Sequence, residues 1–191
     1  MTNWENTTKA LESVGKEMRR RMRISLTKQG KVVSGTLYNS IKPKVESTKN
    51  GRRLVHEMAP YADFVNRGVQ GRQTNEAPKI PGKTGFAPDQ LAAWSKSPYR
   101  FGGGGAKMVP FGSIDRWAVQ KGIEGTRDES GRFTARKSIV RAISTRIYNK
   151  GIVPSLFFDR AYNTMYDRTV REVGRAVGLD YGETIKQIIE K

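Results

Sequence analysis

Two long stretches with apolar residues at helical spacing stand near the two ends of the chain. They constrain the fold more than any other feature. In residues 4–28 the apolar positions recur at intervals of three, four and seven, and in residues 158–177 at intervals of three or four. This spacing places the apolar side chains on one face of an α-helix and leaves basic side chains on the other. The sequence predicts a long amphipathic helix at each end, the second ending at Gly178 before a weaker amphipathic segment over residues 181–189.

A hairpin signal lies between these helices. Residues 41–47 and 53–58 have the composition of strands, and the connection 48–51 ends in Asn-Gly, the dipeptide favoured in tight hairpin turns. A capped turn is predicted over residues 34–41, and a short helix over 61–66. The sequence therefore predicts a pair of antiparallel strands set between two short turn-like segments.

The middle of the chain changes character after Gly68. Residues 69–111 are rich in glycine and proline, which predicts a loop-rich segment that orders against a partner. Three shorter helices are predicted within the middle region, over residues 88–95, 113–121 and 135–148, and residues 122–133 are predicted to be a polar loop.

The net charge is the main indication of a partner. The chain of 191 residues holds 35 Lys and Arg against 18 Asp and Glu, a formal net charge of +17. Excess charge also keeps a protein soluble, but a surplus of this size favours a polyanionic partner, nucleic acid first and an acidic protein surface second. The alternative for each basic helix face is a solvated surface opposite the core. The predicted contacts with DNA or an acidic partner are Arg19, Arg20, Arg23, Arg168, Arg171 and Arg175.

No pattern in the sequence predicts catalysis, a metal site or a cofactor. The chain has no cysteine, so disulfides and thiolate ligands are excluded, and its single histidine, His56, is expected to be solvated or packed. The glycine run 102–105 is not followed by the Lys-Ser/Thr of a phosphate loop, which favours a flexible loop. The acidic candidates are scattered and form no two-carboxylate motif: Asp63, Asp115, Asp159 and Asp167.

Aromatic residues in the middle region predict a second kind of contact. Trp94, Tyr99 and Phe101 lie beside lysine and arginine, where they could stack on bases or anchor a protein interface, and the interface is the favoured interpretation. Trp117 is grouped with them as a candidate at a protomer interface. The N-terminal residues lack the pattern of a signal peptide, and no stretch is apolar enough to span a membrane, so we expect a soluble protein made in the cytoplasm.

Three short segments resemble motifs of a known family. They are residues 34–41 (Ser-Gly-Thr-Leu-Tyr-Asn-Ser-Ile), residues 61–68 (Tyr-Ala-Asp-Phe-Val-Asn-Arg-Gly) and, more loosely, residues 154–161 (Pro-Ser-Leu-Phe-Phe-Asp-Arg-Ala). In order and spacing they resemble the tail-completion, or head–tail joining, proteins of the neck of long-tailed double-stranded DNA bacteriophages. The resemblance covers roughly residues 4–68 and 152–177, and residues 69–150 have no counterpart in it.

The resemblance implies an α+β fold with a small curved antiparallel sheet flanked by the two long helices. It implies a core of residues 1–68 and 151–191 carrying an insertion of residues 69–150. The side chains expected to hold that core together are Leu37, Ile41, Tyr61, Phe64, Phe158 and Tyr162.

The function implied is that of a structural protein of the virion without enzymatic activity. Such a protein forms a ring, commonly a hexamer, between the head connector and the tail-terminator or tail-tube proteins. Genomic DNA passes through the ring, and basic groups contact its phosphates without reading sequence. The location implied is the head–tail junction, with host cytoplasm during assembly. The alternatives are another minor tail protein, a free sequence-independent nucleic-acid-binding protein and, least favoured, a virion enzyme.

Overall fold

The computed structural model describes residues 4–32, 34–73, 87–102, 108–127, 129–130 and 133–190. The chain has an α+β fold, as predicted, and divides into two compact units, one of Met1–Pro60 with Phe157–Lys191 and one of Tyr61–Leu156. In chain order the elements of the described residues are α1 (Glu5–Lys28), α2 (Thr36–Ser40), β1 (Lys42–Thr48), β2 (Gly51–Glu57), α3 (Ala62–Arg67), β3 (Val69–Gln70), α4 (Pro88–Ser95), α5 (Phe111–Gln120), β4 (Thr126–Arg127), β5 (Phe133–Thr134), α6 (Arg136–Lys150), β6 (Gly151–Ile152) and α7 (Phe157–Ile189).

The first unit is built around the two long helices, α1 and α7. Thr7, near the start of α1, hydrogen-bonds to Asp180, near the end of α7, so the helices run antiparallel. Apolar side chains from both helices are withdrawn from water, which is the main stabilising contribution to such a pair. The buried apolar residues of the two helices are Leu11, Val14, Met18, Met22 and Leu26 with Phe157, Ala161, Met165 and Ala176.

Strands β1 and β2 form the predicted hairpin and pack against α1. Their register pairs Lys42 with Glu57 and Thr48 with Gly51, so two residues form the connection. The approach to α1 is closest at Gly15, where an added Cβ would lie 2.8 Å from Cδ1 of Leu54 and 2.8 Å from Cβ of Pro43. Glycine at this position therefore lets the hairpin lie directly on the helix.

Helix α7 differs from its prediction in both length and register. It continues through Gly178 to Ile189, because one glycine costs a helix only about 1 kcal/mol and does not end it. Its buried positions include Phe157 and Ala161 rather than Phe158 and Tyr162. The small side chain of Ala161 is buried there, and the Tyr162 ring lies on the exposed side of the helix.

This shift changes the predicted core. Leu37 and Ile41 are buried, with 6% and 0% of their surface exposed, and Phe158 is partly buried. Tyr162 is 47% exposed, Tyr61 39% and Phe64 42%, so the prediction that these three lie in the core is wrong. In α3 the buried face carries Ala62 and Asn66, which turns Phe64 outward.

The second unit joins two of the family-like motifs. Strand β3 pairs antiparallel with β6, the backbone N–H of Ser155 donates to the carbonyl oxygen of Val65 at 3.0 Å, and that of Leu156 donates to Asn66 at 3.0 Å. Residues 61–68 and 151–156 therefore belong to the same unit as residues 69–150. The division falls at 60/61 and 156/157, not at the predicted 68/69 and 150/151, because these backbone bonds connect the segments on either side of the predicted insertion.

Part of the predicted loop-rich segment packs on β3. The backbone of Gln70 bonds to Tyr99 and Phe101, its side-chain amide donates to the carbonyl oxygens of Trp94 and Ser95, and α4 has its predicted bounds. Residues 87–102 therefore form a helix and a backbone bridge to β3 within one chain, and the expectation that residues 69–111 order against a partner stays a prediction. Residues 74–86 and 103–107, which include most of the glycine run 102–105, lie outside the described residues.

Helices α5 and α6 pack together in the same unit. Their shared core consists of Ile114, Ala118 and Val140, which are 8%, 0% and 3% exposed. The segment between them, predicted to be a polar loop, contains the short antiparallel pair β4 and β5. Residues on the outer side of α6, among them Ser138, Ala142 and Thr145, are exposed.

Candidate polyanion-binding surfaces

The predicted arginines of α1 are largely engaged within the first unit. Arg20 donates from Nε and Nη2 to the carboxylate of Glu17 at 2.7 and 2.8 Å, and Arg21 donates to the same carboxylate at 2.9 Å. The hydrogen bond from Arg20, followed by the charges of both arginines, lowers the pKa of Glu17 to about 2. Glu17 therefore stays ionised and offsets part of the positive charge.

Arg23 has a structural contact. Its Nε donates to the carbonyl oxygen of Tyr38 at 3.0 Å, and its guanidinium lies 4.6 Å from the centre of the Tyr38 ring. These bonds attach α2, and with it the first family-like motif, to α1. Arg23 thus supports the turn over residues 34–41. Because its guanidinium is engaged with Tyr38, it is less available for the predicted contact with DNA.

The arginines of α7 are more accessible. Arg168 donates to Glu172 at 2.6 Å, and its side chain is 52% exposed. Arg171 and Arg175 are exposed, and together with Arg19 they make no ion pair with any residue that the structure describes. At 100° per residue, Arg171 and Arg175 lie about 40° apart around the helix. Of the six predicted contacts, these two are best placed to meet a phosphate.

The predicted interface aromatics contribute to the second unit itself. Trp94 is 4% exposed, so the prediction that it anchors a protomer interface is wrong: it lies in the unit's interior. Tyr99 packs against Phe64 with ring centres 4.3 Å apart, and its hydroxyl donates to Asp63 at 2.6 Å. That hydrogen bond, more than burial, raises the pKa of Tyr99.

The other two aromatics are partly buried. Phe101 lies 5.9 Å from Tyr148, and Trp117 packs against the core of α5 and α6. Each of the four aromatic side chains thus packs inside its own unit. In the sequence these residues lie near basic residues, but the side chains they pack against are distant in the sequence, so local sequence does not predict this packing.

The structure also reveals a surface that sequence reasoning missed. An open groove of about 1030 Å³ runs along the outer side of α6 and past the start of α5. Its described lining holds five basic residues, Arg136, Lys137, Arg141, Arg146 and Lys150. The apolar spacing of α6 predicts its core positions, and the sequence signal for this surface is the series of basic residues on the opposite side of the same helix.

Two of these groove cations have partners. Arg136 donates from Nε to Asp115 at 3.0 Å, and Asp115 is the one acidic residue in the described lining. The guanidinium of Arg141 lies 5.7 Å from the centre of the Phe111 ring. These contacts orient the two guanidinium groups, and both side chains still line the groove.

Helix α7 carries an exposed apolar surface as well. Tyr162, Tyr166 and Val170 follow one another at intervals of four, with exposures of 47%, 52% and 56%. The rings of Tyr162 and Tyr166 lie 5.9 Å apart. We call these three residues the α7 apolar face. Contiguous exposed apolar surface of this kind is typical of a contact with another molecule.

The remaining candidates are the single histidine, a metal site and a membrane-spanning helix. His56 is partly buried beside Phe158, with ring centres 6.3 Å apart, and burial lowers its pKa although a hydrogen bond with the Gly15 backbone acts in the other direction. Among the described residues, no group of three or more His, Cys, Asp or Glu could hold a metal ion. The helices described by the structure include none that is long and apolar enough to cross a bilayer.

Comparisons with protein-family models, with curated proteins and with solved structures find no match to this chain. A functional assignment therefore depends on the residues and contacts described above.

Proposed function

We propose that this protein is a self-assembling structural protein that contacts DNA, without enzymatic activity of its own. The observation that carries the proposal is that α7 presents two accessible surfaces, the α7 apolar face and the exposed Arg171 and Arg175. At 100° per residue these surfaces lie on opposite flanks of the buried side of the helix. An apolar face suits a protein partner, and an arginine pair suits phosphate or carboxylate groups.

The finer proposal follows from the three family-like motifs. Their order resembles that of phage neck proteins, and the contacts of residues 61–68 with Ser155 and Leu156 support their acting as one structural element. We therefore place the protein at the head–tail junction, in a closed ring around the DNA path. A closed ring requires two different complementary surfaces on each protomer, and the α7 apolar face is one of them.

The charge distribution supports the DNA contact. By residue counts, the unit of Met1–Pro60 and Phe157–Lys191 holds 19 basic and 11 acidic residues, a net charge of +8, and Tyr61–Leu156 holds 16 and 7, a net charge of +9. Because both units are positively charged, a long polyanion that can contact both is favoured over a small anion that would bind at one place. Such contact needs no base recognition and depends steeply on salt concentration.

Mass measurement of the native protein tests the assembly. We expect a closed oligomer at micromolar protein concentration, with a single copy number. A monomer that remains monomeric at concentrations of about 100 μM would contradict the ring. Electron microscopy of particles carrying a labelled copy of the protein tests its location, and density away from the head–tail junction would refute the neck assignment.

A further inference from the structure

We propose that the groove along α6 is a second DNA-binding site, which holds the phosphate backbone of duplex DNA. This inference deepens the DNA contact of the proposed function and places it in the second unit. It does not depend on the ring. The site is the open groove of about 1030 Å³ whose described lining includes five basic residues and one acidic residue.

Among the residues that the structure describes, the charge of the groove is mostly uncompensated. Within that set Asp115 pairs with Arg136 alone, at 3.0 Å. Lys137, Arg146 and Lys150 form no ion pair with any described residue, and all three are exposed. Uncompensated cations on one surface attract a polyanion and release its counterions on binding. The groove therefore favours an anionic occupant.

The cations are arranged in two rows. At 100° per residue, Lys137 and Arg141 lie about 40° apart on one flank of α6, and Arg146 and Lys150 lie about 40° apart on the other. From Lys137 to Lys150 the helix rises about 20 Å. A single small anion would use only part of this length, whereas one strand of B-DNA presents a phosphate about every 3.4 Å. Because the two rows lie about 180° apart around the helix, this length fits a backbone that crosses the outer side of α6 obliquely, from Lys137 and Arg141 to Arg146 and Lys150.

Between the two rows of cations, the side chains that line the groove are short and mostly polar. Ser138, Thr145 and Asn149 line the groove there, together with Ala142. Their hydroxyl and amide groups can donate hydrogen bonds to phosphate oxygens, and their small size lets a backbone approach the helix. An amphipathic protein segment would need apolar surface at the centre of the contact, where Ala142 alone of the described lining supplies it, because the exposed ring of Phe111 lies at the start of α5 beside Arg141. Nucleic acid is therefore favoured over an acidic protein.

Titration of the full-length protein with a random-sequence duplex of about 30 base pairs, at several salt concentrations, tests the site. The variant carries K137A and R146A, which remove two cations, one from each row, that have no ion-pair partner among the described residues. We expect the slope of log K against log salt to become less steep by about two, and the affinity at 0.1 M salt to fall tenfold or more.

The matched control carries K96A and K121A, two exposed lysines of the same unit that are outside the described groove lining. Both double variants lose two positive charges, so equal losses of affinity would assign the effect to net charge and overturn the site. An unchanged affinity in the groove variant, or a wild-type protein that does not bind DNA at 50 mM salt, would also overturn it. Unchanged melting temperatures of both variants would show that a loss of affinity is not a loss of folding.

Two further measurements distinguish DNA binding in the groove from binding of an acidic protein and from assembly of the ring. Titration with poly-glutamate tests the acidic-protein alternative, and a larger effect of the groove variant there than on DNA would reject nucleic acid as the occupant. Native mass of the same samples reports the ring independently. An intact oligomer with an unaffected DNA affinity would refute the groove and leave the assembly proposal in place.

Discussion

At the scale of single residues, Asp180 has the most consequential contacts. Trp4, the residue before α1, makes no side-chain capping bond, and the carboxylate of Asp180 on α7 accepts from the backbone N–H groups of Asn6 and Thr7 at 3.0 and 2.9 Å. It also accepts from the Thr7 hydroxyl at 2.6 Å, and it is fully buried. A carboxylate at a helix N-terminus satisfies free donors and complements the helix dipole. We expect D180N to lower the free energy of unfolding by roughly 2–3 kcal/mol in urea denaturation.

The matched control for this substitution is D167N, on the exposed side of the same helix. It should change the free energy of unfolding by less than about 0.5 kcal/mol, and equal effects of the two variants would contradict the capping role of Asp180.

The contribution of Asp180 to stability should depend on pH with a definite sign. Burial favours protonation of Asp180, but its hydrogen bonds with Thr7 and Asn6 outweigh burial and lower its pKa. Its contribution is therefore present above the unfolded pKa of about 4 and is lost as pH falls through the lower folded value.

At the scale of elements, two helical glycines should respond in opposite ways to alanine. In α1 a Cβ on Gly15 would lie 2.8 Å from Pro43, so G15A should lower the free energy of unfolding by about 1–3 kcal/mol, despite the better helix propensity of alanine. In α7 a Cβ on Gly178 would meet nothing within 4 Å, so G178A should raise it by roughly 0.5–1 kcal/mol. Thermal and urea unfolding of both variants measure the difference. A stabilising G15A would contradict the close packing of the hairpin on α1.

The same elements show what the sequence could predict about the fold. Apolar periodicity placed α1 and α7, and the Asn-Gly turn placed β1 and β2, because these signals are local. The register of α7 was one position off at Ala161, since spacing alone does not distinguish a small residue facing α1 from a large aromatic facing outward. The pairing of β3 with β6 joins residues about 80 apart in the chain, and two-residue strands carry no periodicity to detect.

At the scale of the whole molecule, the predictable part of the candidate site was its charge. Composition indicated a polyanionic partner, and helix geometry grouped Arg168, Arg171 and Arg175 on one side of α7. Composition could not indicate that Glu17 neutralises part of α1 or that the groove along α6 stays open. Both depend on which side chains meet once the helices pack. For the same reason, buried Trp94 was mistaken for an interface residue.

The α7 apolar face gives the last prediction, for the association of whole molecules. Two exposed tyrosines in contact supply a large apolar area with little rotamer freedom to lose, and tyrosine is enriched among interface residues that dominate binding. If a second copy covers this face, Y162S with Y166S should weaken self-association at least tenfold in sedimentation velocity. The matched control is L91S with V119S, which removes two side chains of the other unit that are 48% and 55% exposed. Self-association that persists in the tyrosine variant, or falls equally in the control, would exclude α7 as the protomer contact. Both tyrosines are about half exposed and the Tyr162 ring stacks on Phe158, so the melting temperature should fall by only a few degrees, and circular dichroism at the assay temperature would show that lost assembly is not unfolding.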